Sequence, residues 1–316
     1  MMDLNPIPPR FTVNENCITK ADPRYNVLTF QQLLDLKKLN TNELIKEWGK
    51  IKQYPVDKNK RTFVGNKILY HFQFEELLKT RRDIKNYKTM DEILSDEQLS
   101  KKWIDYAIKL NRNEKKAYLT SVDIFECYRL CRGSVVFFKS FTTKYLCSHF
   151  KATAVLDPCA GWGGRLLGAR SLDLEYTGID TNINLKKNYD EMIHTLDLGE
   201  TKSKMLYESC LDADFSAINY DLVITSPPYL NIEKYSHMPL FDTEASYYKN
   251  FLIPLIKKCK THIKRPGYIC INISDTLYQK YLSYGGEKCD DDLSMELKQQ
   301  MGGKKNKEVI YVWKCL

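Results

Sequence analysis

From about residue 150 onward, short apolar runs alternate with helical stretches, and this alternation limits the chain more than any other feature. The runs are residues 154–156 (AVL), 176–179 (YTGI), 222–224 (LVI), 268–273 (YICINI) and 309–313 (VIYVW). Continuous apolar runs of this length suit strands buried on both faces, and the helices between them supply the crossovers that parallel neighbours need. Residues 166–171 and 247–264 are the expected helices, the second with Leu252, Ile253, Leu255 and Ile256 facing inward. The pattern predicts an α/β domain around a largely parallel sheet.

The first 150 residues read differently. Residues 31–50 (QQLLDLKKLNTNELIKEWGK) space their leucines and Ile45 as amphipathic helices do, with Asn40-Thr41-Asn42 as break and cap. Residues 96–110 place Leu99, Trp103, Tyr106, Ala107 and Leu110 on one side of a second helix. A basic loop at 55–61 lies between them, and no internal repeat or low-complexity tract is visible. The expected division is a basic, mostly helical region over residues 1–130 and an α/β domain over 131–316.

Composition narrows the classes. With 43% hydrophobic and 28% charged residues, the chain of 316 residues has the material for a core and is not a disordered one. No stretch approaches the roughly 18–20 uninterrupted apolar residues of a bilayer helix. The N-terminus shows no secretory pattern. Ten cysteines at scattered spacings read as reduced intracellular thiols, with neither a disulfide framework nor a metal site. Cys127 and Cys131 share a helix face without two further ligands nearby and read as core thiols. The expected location is intracellular and soluble, cytoplasmic, or nuclear in a eukaryotic source.

The net charge of +8 is unevenly placed. Residues 1–150 carry 27 Lys and Arg against 18 Asp and Glu, and residues 151–316 carry 21 against 22. All the positive excess lies in the first half, as it would if that half met a polyanion. Arg129, Arg132, Lys139, Lys144 and Lys151 form a run without an intervening acid, either tracking phosphates or forming a solvated face.

Two motifs carry the chemistry. Asp157-Pro158-Cys159-Ala160-Gly161-Trp162-Gly163-Gly164-Arg165 follows the first strand, where glycines let the backbone turn tightly and approach a ligand. Asp180 closes the second strand, where an acid of a βαβ unit can accept ribose hydroxyls. Leu166 stands where a dinucleotide loop has its third glycine, which disfavours a nicotinamide cofactor. The second motif, Thr225-Ser226-Pro227-Pro228-Tyr229, ends a buried strand with a polar side chain, two prolines and an aromatic ring. Prolines cannot continue the sheet, so they make a rigid turn at its carboxyl edge. Ser226 and a carbonyl before or between the prolines are two fixed acceptors for an NH₂ group, and Tyr229 offers a face to a planar base.

With both motifs in this order, residues 135–316 resemble the S-adenosylmethionine-dependent amino-methyltransferases of DNA, which make N4-methylcytosine or N6-methyladenine. The resemblance implies a Rossmann-like, seven-stranded methyltransferase domain. It implies that Asp157 and the loop Cys159, Ala160, Gly161 and Gly163 cradle the methionine part of S-adenosylmethionine. It gives Asp180 the ribose and Asp212 the adenine amine, with Asp214 competing for that role, and makes Ser226, Pro227, Pro228 and Tyr229 the catalytic turn. Segment 137–144 stands where the family has another cofactor segment, but its letters match poorly. The implied reaction is transfer to cytosine N4, with adenine N6 as the alternative; an RNA methyltransferase or an inactive nucleic-acid-binding relative is the second alternative. The implied partner is DNA with its target base flipped out, and no membrane. A family-sized recognition segment has no room between Asp214 and Thr225 or after Ile273. Recognition is therefore expected in residues 1–130 or in another chain, either a separate subunit or a second copy. Cytosine C5 chemistry would need a cysteine nucleophile, usually after proline, and the sole Pro-Cys pair, Pro158-Cys159, lies in the cofactor loop.

Overall fold

The computed structural model describes residues 30–56, 62–82, 88–109, 121–132, 135–228, 233–234, 241–296 and 307–316. The chain divides into two compact units. One comprises Leu39–Gln73, Phe137–Leu230 and Ser236–Leu316, and the other Met1–Lys38, Phe74–Val136 and Asn231–Tyr235. Residues 39–73 go with the sheet in this division.

Strands β1 (Ala154–Asp157), β2 (Glu175–Ile179), β3 (Ser203–Leu206), β4 (Leu222–Thr225), β5 (Gly267–Asn272), β6 (Asp291–Glu296) and β7 (Lys307–Cys315) form one seven-stranded sheet. Their order is β3-β2-β1-β4-β5-β7-β6. The first five are parallel, while β7 runs antiparallel to both β5 and β6. This is the largely parallel α/β sheet that the apolar runs predict, in the Rossmann-like, seven-stranded form that the resemblance implies. The apolar runs became its inner strands: every residue of β1 and β4 is buried. From β1 the chain builds outward to β3, then returns to lay β4 on the other side of β1. The sheet thus has a topological switch point between β1 and β4, and α/β sheets of this kind bind ligands beyond the carboxyl ends of such strands.

Helices α1 (Thr41–Gln53), α2 (Asn66–Leu78), α3 (Ser140–His149), α4 (Gly164–Arg170), α5 (Lys186–Thr195), α6 (Ile253–His262) and α7 (Asp275–Ser283) follow in chain order. The break expected at 40–42 is a capping box: the Asn40 side chain accepts from Glu43 N–H, and Glu43 accepts from Asn40 N–H. The helix expected over 247–264 is interrupted, with a π-helical turn at Tyr248–Leu252 ahead of α6.

Lys144 overturns part of the basic-run reading. It is buried within α3, and its ammonium donates to the carbonyls of Ile51 (2.9 Å), Lys52 (2.7 Å) and Tyr54 (2.8 Å) at the end of α1. All three protons are engaged, so it has none for a phosphate. Burial pushes its pKa below the usual lysine value. Arg129 is ion-paired to Glu126 at 2.7 Å.

The other unit contains helices Phe30–Asp35, Met90–Leu94, Glu97–Lys109 and Ser121–Arg132. Trp103 is fully buried there, packed against Tyr106 and Tyr128. Arg81–Arg82 pair antiparallel with Glu233–Lys234, so a segment just beyond Pro228 in sequence counts with this unit. No described helix is long and apolar enough to cross a membrane.

Candidate functional site

Asp157, the last residue of β1, is wholly buried. Its Oδ2 accepts from Arg165 Nε (2.6 Å) and from the Tyr176 hydroxyl (2.8 Å), while Oδ1 is buried without a partner among the described residues. Arg165 also donates to the Cys159 carbonyl and lies over the Phe138 ring, 4.8 Å from its centre. Burial opposes the guanidinium charge, yet Asp157 and Tyr176 hold its pKa above the ordinary value. Sequence placed Arg165 in the motif without giving it a role. It is the residue that fixes Asp157 and leaves one carboxylate oxygen over.

The loop from Cys159 to Gly163 is anchored at several points. Ala160 N–H donates to the Ile179 carbonyl (2.9 Å), and Gly161 N–H to Asp180 Oδ2 (2.7 Å). The Tyr189 hydroxyl donates to the Gly161 carbonyl at 2.9 Å. Gly161 and Gly163 have φ of 57° and 89°, left-handed values that favour glycine. A Cβ built on Gly161 would meet nothing nearer than Arg165 Nη2 at 4.0 Å, so the loop leaves open space there.

Asp180 joins this group directly. Its second oxygen, Oδ1, accepts from Asn182 N–H at 2.9 Å, so each carboxylate oxygen holds one backbone N–H and keeps a lone pair. Burial raises its pKa against the lowering effect of the Asn182 and Gly161 hydrogen bonds. Tyr207, which sequence reasoning passed over, follows β3 with its hydroxyl buried and unpartnered among the described residues. Burial raises the pKa of Tyr207, and the nearby Asp190 and Asp180 charges add to this.

The turn that carries Asp212 reaches the same loop, because Cys159 packs against the buried cluster that includes Cys210. The neighbouring Cys210 thiol, with burial behind it, holds the Cys159 thiol well above its ordinary pKa, the opposite of what a thiolate nucleophile needs. Asp212 itself is exposed, and its carboxylate has no partner among the described residues. Asp214 has one oxygen engaged: its Oδ1 accepts from Ser216 N–H (2.9 Å) and the Ser216 hydroxyl (2.6 Å), capping a short 3-10 turn. Of the two acids, Asp212 is the one with neither oxygen engaged by a described residue.

At the end of β4, beside β1, Ser226 is half-buried and Pro227 buried. The Ser226 hydroxyl donates to the Asn272 carbonyl at the end of β5 (3.3 Å), and Asn272 Nδ2 donates to the Val309 carbonyl at 3.1 Å. With its proton directed to Asn272, Ser226 Oγ presents lone pairs to whatever lies beyond the sheet edge. Pro228 is half-buried, and Tyr229 lies outside the described residues. The Asn272 contact could not be read from sequence, since it joins positions 46 residues apart.

No protein-family model matches the chain, and no curated protein does. Its fold is similar to that of several solved structures. TrmN from Thermus thermophilus is 15% identical over 56% of this chain and 49% of its own, with a TM-score of 0.40. SMU.1697c, a putative methyltransferase from Streptococcus mutans crystallised with SAH, is 12% identical over 57% and 99%, with a TM-score of 0.38. The putative methyltransferase yhhF from Escherichia coli is 14% identical over 55% and 84%, with a TM-score of 0.36.

Proposed function

We propose that the chain transfers a methyl group from S-adenosylmethionine to the exocyclic amino nitrogen of a DNA base, cytosine N4 ahead of adenine N6. One observation carries this reading. The glycine loop after β1 and the Ser226-Pro227-Pro228 turn after β4 stand on adjacent strands at the switch point of the sheet.

S-adenosylmethionine supplies an electrophilic methyl group on a sulfonium, and the residues present fit it. The unpartnered Asp157 Oδ1 is a buried acceptor suited to the ammonium of the methionine part, and the space at Gly161 admits its chain. Asp180 keeps a lone pair on each oxygen for the ribose hydroxyls, and Asp212 is the exposed acceptor for the adenine amine.

The exocyclic nitrogen is a poor nucleophile because its lone pair is delocalised into the ring. Ser226 Oγ and a carbonyl before or between Pro227 and Pro228 accept its two N–H groups. This would hold the nitrogen as it becomes tetrahedral, with its lone pair turned to the methyl group as the sulfonium's S–CH₃ bond breaks to leave a neutral thioether, and the surplus amine proton would pass by way of the accepting oxygens to solvent. Catalysis is positioning and charge stabilisation without a covalent intermediate, in keeping with the raised pKa of Cys159. Tyr229 stacks on the base, which must leave the duplex to arrive there. Residues 1–130 supply the DNA affinity, since the positive excess lies in that half.

The test is incubation with labelled S-adenosylmethionine and DNA, RNA or protein, followed by nucleoside mass spectrometry. N4-methylcytosine in DNA is the expected product. N6-methyladenine alone would move the target atom, and label confined to RNA or protein would overturn the DNA reading.

A further inference from the structure

The turn that carries Asp212 is built from its own backbone and one lysine. The Ser209 carbonyl accepts from Asp212 N–H (2.9 Å) and Ala213 N–H (3.0 Å), and the Ser209 hydroxyl accepts from Leu211 N–H (3.2 Å). From α6, the Lys258 ammonium donates to the carbonyls of Cys210 (3.2 Å), Leu211 (2.5 Å) and Ala213 (2.5 Å). The same Nζ lies 4.5 Å from the centre of the Phe215 ring.

An ammonium has three protons, and here each has a carbonyl. The carbonyls belong to residues on both sides of Asp212, whose carboxylate is exposed and has no partner among the described residues. A surface turn can satisfy its carbonyls with water, whereas a lysine held in one rotamer loses conformational freedom. What the lysine adds over water is a fixed position for the residue it brackets.

We propose that Lys258 is a positioning residue that presents the Asp212 carboxylate to the exocyclic amine of the cofactor's adenine, and thereby sets the preference for adenine over a 6-oxo purine. The proposal rests on the place given to Asp212 under the proposed function. Its chemistry is a matter of donors and acceptors. A carboxylate only accepts, so it welcomes the adenine NH₂ and is repelled by the carbonyl that hypoxanthine carries at the same place. A turn free to shift carries its carboxylate off a mismatched ring and tolerates either one, while a backbone held on both sides of Asp212 keeps the carboxylate at the ring edge and discriminates.

The experiment is calorimetric titration of the full chain with S-adenosylhomocysteine and with S-inosylhomocysteine. The proteins are wild type, Lys258→Gln, Lys258→Arg, Asp212→Asn and the Lys258→Gln/Asp212→Asn pair. Wild type is expected to prefer the adenosyl compound by about tenfold or more. Lys258→Gln should lower that ratio several-fold toward the Asp212→Asn value, Lys258→Arg should fall between, and the double variant should go no lower than Asp212→Asn. A lysine that merely stabilises the turn would weaken both ligands equally, so an unchanged ratio overturns the proposal. If Lys258→Gln does not fold, a wild-type ratio in Lys258→Arg, which cannot reproduce the three-carbonyl geometry, overturns it equally. The two readings fail differently. A wild type that binds neither compound overturns the cofactor reading as well, whereas a wild type that binds both with a ratio near one removes only Asp212 and Lys258 from the site.

Discussion

Replacing Asp180 with alanine tests the cofactor reading most directly. Its carboxylate holds Gly161 N–H at 2.7 Å and Asn182 N–H at 2.9 Å, and each oxygen keeps a lone pair for a ribose hydroxyl. Hydrogen bonds to a charged group contribute roughly 1.5–3 kcal/mol each, so removing the two to ribose amounts to about 3–6 kcal/mol. At 1.4 kcal/mol per tenfold, S-adenosylmethionine affinity should fall about 10²-fold to 10⁴-fold. Calorimetric titration reads that loss, and a thermal melt beside it reports how much comes from freeing Gly161. The pH dependence has a definite sign. Burial raises the Asp180 pKa, so in the folded chain the carboxyl takes up its proton at higher pH than an ordinary aspartate does. For stability alone, a raised carboxyl pKa favours folding at low pH, and that contribution is lost as pH rises through the folded value. Cofactor binding responds the other way. Only the ionised form accepts from both hydroxyls, so affinity should weaken with falling pH, starting above the usual aspartate range. Asp180→Ala should lack that acid limb. Wild-type affinity in Asp180→Ala, or the same acid limb in both proteins, would refute the reasoning.

Ser226→Ala and Tyr229→Ala should lower turnover while leaving S-adenosylmethionine affinity nearly intact; equal cofactor loss in both would show that the catalytic and binding roles are misassigned. Lys144→Met should destabilise the fold by about 3 kcal/mol, because three carbonyls at the end of α1 lose a charged donor. Urea unfolding measures this, and a change under 1 kcal/mol would mean that water replaces the ammonium without cost. Changing Lys58, Lys60 and Arg61 together to alanine should weaken DNA binding and flatten its salt dependence by nearly one logarithmic unit for each phosphate no longer neutralised. These three lie outside the described residues, so DNA affinity against salt is the measurement, and an unchanged slope places the DNA surface elsewhere.

What could be read from sequence follows the physics of burial. Strands β1, β2, β4, β5 and β7 lie inside the sheet, with a neighbour on each side, and are visible as apolar runs. The two without such a run, β3 and β6, are its two edges. An edge strand has one partner and tolerates charge, and β6 is Asp-Asp-Leu-Ser-Met-Glu. The site divides in the same way. Asp157 and Asp180 were legible because they end strands, and strand ends are fixed by local pattern. Arg165, Asn272 and Lys258 do their work through contacts that sequence spacing does not encode; Lys258 meets carbonyls 45 to 48 residues away. Lys144 is the sharpest case. It stands in a run of five bases and reads as well for a phosphate contact as for a solvated face, yet it is buried against carbonyls some 90 residues earlier in the chain. A lysine in a sequence gives the sign of its charge but not its depth. Lys144 and Lys258 use that charge in the same way, each binding three backbone carbonyls. One closes the end of α1 and the other brackets Asp212, so two cations that add to the net charge are unavailable to a polyanion. The electrostatic case for nucleic acid therefore rests on the remaining bases of the first half, and it is there that the salt dependence has to be sought.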